Sequence, residues 1–434
     1  MPAIVYRITE VLSALVLDLP IGTNLGLFHI LWALLSGRLL QSRGALFPAV
    51  AGVGLDARAV RRAWRAFGYG SWTIAKLMTS FLSLVEQEGR WQPKWLGGYR
   101  VVAVDTVAFF RPRLKECLTK HFLSQAGTAL PAISLGLIVN VGSAAEQRVP
   151  IVRQLVRAPH AAASEAELVE TLLHQAANQL AADEVLVADR GFSPLKLQAA
   201  GVARWVARVP RNFSARRIRP TAYPGRGRPA TRGEIVRPLP RTYQAKALSA
   251  TPPDRTETTL FAGRQVRADI WEGLRLPQGP AQPAALECVV IHDPNYSDPW
   301  VLVTNLTLSV LELLRLYRQR WAIEQVPLAA KQLLGAQRQF VSATDARQRL
   351  PELALLAGSL LMYLAATSPL QPTGFWDRAP RPTAGRLRRV LAQLDISKFA
   401  ALPHQLRKKE SVTTHLPMGI AARRLAIQSP APQT

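Results

Sequence analysis

Residues 184–194 read Glu-Val-Leu-Val-Ala-Asp-Arg-Gly-Phe-Ser-Pro. The run Glu184–Ala188 is apolar after its first residue and too short for a helix, so it predicts a buried strand. Asp189 follows at once. Ser193 and Pro194 then form an N-cap with proline at the first helical position, where the missing N–H costs nothing. A strand that delivers an acid to its end and turns into a helix belongs to an α/β sheet. In such sheets ligands gather beyond the strand ends.

The same pattern recurs on both sides. Upstream, Arg100-Val-Val-Ala-Val-Asp105 is a second short apolar run ending in an acid, and Ile133–Val141 and Val149–Val156 predict two more strands. Ser164-Glu-Ala-Glu167 is a capping box that opens a helix to about Leu180. Downstream, Trp205–Val209 predicts a fifth strand, giving an α/β core with a mixed sheet. Residues 211–283 are rich in Pro, Gly, Thr and Arg, with short alternating runs at Thr256–Phe261 and Gln265–Trp271; they predict an inserted, basic, mostly β subdomain. The strands Leu286–Ile291 and Trp300–Thr304 resume the core. Ser309-Val-Leu-Glu312, a second capping box, then opens a helix running towards Leu334, followed by an apolar helix at Leu353–Ala366. Residues 1–98 predict helices, including Leu25–Leu40 and Asp56–Arg65. The expected domains are therefore 1–98 (helical, DNA-binding), 99–210 with 284–370 (the α/β core), 211–283 (insertion) and 371–434 (a basic tail for dimerisation or DNA contact).

Charge narrows the partners. The 434 residues carry 54 Lys+Arg against 29 Asp+Glu, a net +25, with 48 % hydrophobic and 19 % charged residues. That apolar share excludes a disordered or collagen-like chain. A folded chain so basic calls for an anionic partner, nucleic acid or an anionic membrane surface. The most apolar early run, Leu25–Ser36, contains His29 and falls well short of the ~20 residues of a membrane span. The expectation is a cytoplasmic protein that binds nucleic acid and no membrane. Two cysteines, Cys117 and Cys288, offer neither a disulfide framework nor zinc spacing. Arg58, Arg61, Arg62 and Arg65 fall at i, i+3, i+4 and i+7, one stripe on a helix that suits a DNA backbone.

Three acids stand where metal ligands are needed: Asp105 at the end of, or within, the first apolar strand, Asp189 immediately after Glu184–Ala188, and Glu324 in the helix after Ser309. Packed together without a cation they repel one another, and one stays protonated. Divalent magnesium takes such hard oxygen ligands, and two ions about 4 Å apart activate water and stabilise the leaving oxygen of a phosphodiester. Tyr317, Arg320, Glu324 and Lys331 are spaced 3, 4 and 7 residues apart, within one arc of a helix. Such a face combines a metal-binding carboxylate with two cations for phosphate, or else is a solvent face with an Arg320–Glu324 i,i+4 pair. Pro327 inside this helix predicts a kink that moves Lys331.

Tyr317-x2-Arg320-x3-Glu324-x6-Lys331 resembles the Y-R-E-K signature of bacterial insertion-sequence transposases of the DDE type. Val101–Val107 and Val185–Phe192 resemble that family's two aspartate strands. The resemblance implies a ribonuclease-H-like core interrupted by a β insertion, with Asp105, Asp189 and Glu324 as catalytic ligands of two Mg²⁺ ions for which Mn²⁺ substitutes. It implies Tyr317, Arg320 and Lys331 at DNA phosphates, and metal-dependent cleavage at transposon ends followed by transfer of the 3′-hydroxyl into target DNA. Joining two ends implies a homodimer on double-stranded DNA, in the bacterial cytoplasm at the nucleoid. Pro224-Gly-Arg226-Gly-Arg228-Pro229 is similar to the core of an AT-hook, which places Arg226 and Arg228 in a narrow minor groove. Trp271 is a candidate for stacking on a flipped base. Two other functions fit the same residues: a catalytically retired DNA-binding regulator, and a structure-selective nuclease that cuts without joining.

Overall fold

The computed structural model describes residues 3–114, 119–160, 163–220, 232–278, 285–370, 372, 374–394 and 406. Thirteen strands among them join in one mixed sheet. At its centre three strands run parallel: Tyr99–Phe110, Glu184–Ala188 and Trp205–Val209. Tyr99–Phe110 pairs antiparallel with Thr128–Asn140, which carries Thr119–Leu123 and Ile151–Arg157 beyond it. On the other side, Trp205–Val209 pairs antiparallel with Trp300–Thr304, and the sheet continues through Leu286–His292 to Arg264–Arg275. This is the mixed α/β architecture expected of a ribonuclease-H-like core.

Both faces of the sheet are covered, by two distinct cores. Val101, Ala103, Val185, Val187 and Val206 point into one core with the helices Val310–Gln319 and Thr344–Thr367. Val102, Val104, Leu186, Ala188 and Trp205 point into the other, against the helix Glu165–Gln179. Period-two alternation therefore sorts apolar residues between two cores, which is why the central strands read as continuous apolar runs. Both capping boxes form: Ser164 and Ser309 accept from the backbone of Glu167 and Glu312, whose side chains reach back to the caps. Ser193 caps the helix Pro194–Ala199 as its sequence predicts.

The insertion departs from expectation. Its strands Arg255–Phe261 and Arg264–Arg275 form no separate subdomain. Arg264–Arg275 pairs with Leu286–His292, so the segment extends the core sheet directly. The helices of residues 3–88 likewise share the larger core with the sheet. Arg7, Glu88 and Tyr363 form a partly buried hydrogen-bonded cluster that ties the helices Ala3–Val16 and Ile74–Glu88 to Thr344–Thr367. That last helix is long and apolar enough to cross a membrane, yet 89 % of its most apolar window is buried within the fold, which makes it a core helix.

Candidate active site

The register of the parallel strands sets the site. Ala103 pairs with Val187, and Val101 with Val185. Two residues beyond each of Ala103 and Val187 stand Asp105 and Asp189, so the two acids reach the same level on adjacent strands, on the same face. That face is covered by the helix Val310–Gln319 and its continuation Trp321–Leu328, with Arg320 at the junction in helical geometry. Leu313, Leu314 and Leu316 bury one side of the first helix, which fixes its rotation and turns Tyr317, Arg320 and Glu324 towards the aspartates.

Arg320 is the hub. Its Nη2 donates to Glu324 Oε1 at 2.6 Å and lies 3.5 Å from Asp189 Oδ2, while Nη1 lies 3.9 Å from Asp105 Oδ2. The Tyr317 hydroxyl donates to Asp189 Oδ1 at 3.2 Å. The Arg320 side chain is 7 % exposed, whereas the three carboxylate side chains keep 30, 34 and 36 % of their surface open. One buried cation thus faces three acids that open outward. Burial raises the Asp105 carboxyl to about 6; the Thr106 backbone N–H and Arg320 oppose that rise, while Asp189 and Glu324 add to it. Burial and the Asp189 charge raise the Tyr317 phenol to about 12, so it remains a donor at neutral pH.

Pro327 has the consequence its position predicts. The helix continues to Leu328 and then widens into a single π turn, Ala329–Leu333, which carries Lys331. Lys331 nevertheless stays beside the site. Its Nζ lies 5.3 Å from the ring centroid of Phe109, four residues along the Asp105 strand on the same face. Burial lowers its ammonium pKa, and Asp105 opposes that shift.

A cavity of about 360 Å³ adjoins these residues, lined by Arg148, Arg208, Arg318, Tyr296, Trp300 and Trp321 together with Tyr317 and Arg320. The Arg208 guanidinium stands 5.7 Å from the Trp300 ring, which packs edge-on against Tyr317 at 5.8 Å. Arg148, Arg208, Arg318, Tyr296 and Trp321 did not emerge as site residues from sequence reading. Arg208 had a usable signal: it is the only charge in the apolar strand Trp205–Val209, and its parity with Val206 assigns it to the site face.

The other candidate residues lie elsewhere. Asp56 caps the helix Ala57–Tyr69, on which Arg58, Arg61 and Arg65 are exposed and Arg62 is half-buried; the stripe lies on the helical region, apart from the acids. Arg226 and Arg228 fall outside the described residues. Trp271 must be corrected. It is 2 % exposed, and its indole N–H donates to the carbonyls of Thr251 and Pro252, so it has no face left for a base.

Three carboxylates on one face of a sheet are the hard oxygen donors that magnesium takes. Among the described residues, no three potential ligands form a ready-made metal cluster, and the cation between these acids is Arg320. The family profile of the transposase DDE domain matches residues 140–357, half of the chain. The chain belongs to the DDE-domain transposases. The match takes in Asp189 and Glu324 and begins beyond Asp105, which joins the site through strand register. No curated protein matches the chain.

Proposed function

We propose that this DDE-domain protein is an active insertion-sequence transposase, which cleaves DNA at transposon ends and transfers the freed 3′-hydroxyl into target DNA. The observation that carries the reading is the convergence of Asp105, Asp189 and Glu324 on one guanidinium from two strands and a helix. In the first reaction water attacks the phosphorus and the bond to the 3′-oxygen breaks, leaving a 3′-hydroxyl and a 5′-phosphate. In the second, that hydroxyl attacks a target phosphorus and displaces the target's own 3′-oxygen.

Asp105, Asp189 and Glu324 hold two Mg²⁺ ions, or Mn²⁺ in their place. When bound, the ions supply a nucleophile at neutral pH and neutralise charge at the leaving oxygen. Tyr317 orients Asp189 by its hydrogen bond, as outer partners of metal ligands do. Arg320 and Lys331, with Arg208 and Arg318 of the adjoining cavity, hold backbone phosphates and position the duplex. Arg58, Arg61, Arg62 and Arg65 bind duplex DNA away from the chemistry, and Arg226 with Arg228 lies along a minor groove. Residues 1–98 serve as the DNA-binding region and 371–434 as a basic tail, on a homodimer that pairs two ends at the nucleoid in the cytoplasm.

Pre-cut ends incubated with supercoiled target and Mg²⁺ test the reading. Joined products on a gel are expected. Cutting of uncut ends without joining of pre-cut ones marks a nuclease instead, and DNA binding with neither reaction marks a retired regulator.

A further inference from the structure

Arg320 occupies the place that the three carboxylates would offer a metal. Its guanidinium meets Glu324 at 2.6 Å, Asp189 at 3.5 Å and Asp105 at 3.9 Å. It is buried, and its Nε has no hydrogen-bond partner. A divalent cation drawn to the same oxygens meets a fixed positive charge within a few ångströms, at low effective dielectric where repulsion is strong. The guanidinium and the ion therefore exclude each other.

The arginine also has somewhere to go. Arg320 already lines the adjoining cavity beside Arg148, Arg208 and Arg318, whose like charge favours its carboxylate-facing position until an anion enters. A backbone phosphate in that cavity removes the repulsion and offers Arg320 a bidentate acceptor. Resting on the reading of the three acids as metal ligands, we propose that Arg320 is an internal counter-ion that keeps the metal site closed. A DNA phosphate draws it aside, and the carboxylates are then free for divalent ions. Metal and DNA binding are thereby coupled, and the coupling runs equally in both directions. A resting protein without loaded metal does not cut DNA it has not yet seated.

The test is Mn²⁺ binding to the full-length, DNA-free protein, read from the electron paramagnetic resonance signal of free Mn²⁺, with melting curves to confirm folding. Arg320→Gln is expected to bind Mn²⁺ about tenfold tighter than the wild type. Adding Asp189→Asn to that variant should remove the gain. If Arg320→Gln fails to fold, Arg320→Met removes the charge while keeping an unbranched stem for packing, and a gain of about tenfold is again expected. Equal or weaker Mn²⁺ affinity in the folded arginine variant, with binding still lost on Asp189→Asn, overturns the counter-ion proposal and leaves the metal site standing. Mn²⁺ binding that ignores Asp189 in every variant overturns the metal site itself, and the proposal with it.

Discussion

Asp189 holds its orientation through the phenol of Tyr317, which donates at 3.2 Å and stays protonated because burial holds its pKa near 12. Tyr317→Phe keeps the ring packed on Trp300 and deletes the hydroxyl's bonds to Asp189 and Arg208. We expect kcat for end cleavage to fall by about 10–100-fold, with the melting temperature little changed. At this scale the sequence carried much of the site. The spacing of Tyr317, Arg320 and Glu324 was legible because a helix converts spacing into direction. The i,i+4 pair forms, on a buried rather than a solvent face, and the same guanidinium reaches both aspartates. Trp271 misled for a physical reason. Ile270 and Trp271 are neighbours that point into different cores, so this part of the strand buries apolar side chains of either parity.

Among elements, those with local signals were legible. Capping boxes, the Ser193-Pro194 start and the apolar runs each rest on residues within a few positions of one another. The attachment of Arg264–Arg275 to Leu286–His292 and the hairpin Thr119–Leu123 with Thr128–Asn140 rest on pairing between segments, which leaves no local trace. The helix Ala57–Tyr69 was legible as a cationic stripe, and its arginines make a prediction of their own. Replacing Arg58, Arg61 and Arg65 with alanine should weaken duplex binding irrespective of sequence. It should also reduce the slope of log K against log salt by about 3, near 0.9 for each phosphate that is no longer neutralised. An unchanged slope in fluorescence anisotropy would remove this helix from the DNA interface.

For the whole molecule, one core unites the N-terminal helices, one face of the sheet and the long helix Thr344–Thr367. Its stability should therefore respond as a unit to groups buried far from the acids. His29 is such a group. Burial, with Arg62 nearby, holds its imidazole at about 4, against an ordinary value of 6.5, and Asp56 only partly opposes this. The folded state thus refuses a proton that the unfolded chain accepts. The stability present above pH 6.5 is lost as the pH falls towards 4, by about 2 kcal/mol at pH 5. Thermal melts of His29→Gln should show a smaller drop between pH 7 and pH 5 than the wild type; parallel curves would place the acid sensitivity elsewhere.

The convergence of Asp105, Asp189 and Glu324 ties sequence, fold and chemistry together, and cleavage of an end-bearing duplex in Mg²⁺ tests it most directly. Asp105→Asn, Asp189→Asn and Glu324→Gln, assayed beside the wild type, should each release no 3′-hydroxyl product while binding the duplex as before. Asp105 is the telling member, since strand register alone brings it to the site. Full activity in any one of the three variants would contradict the assignment.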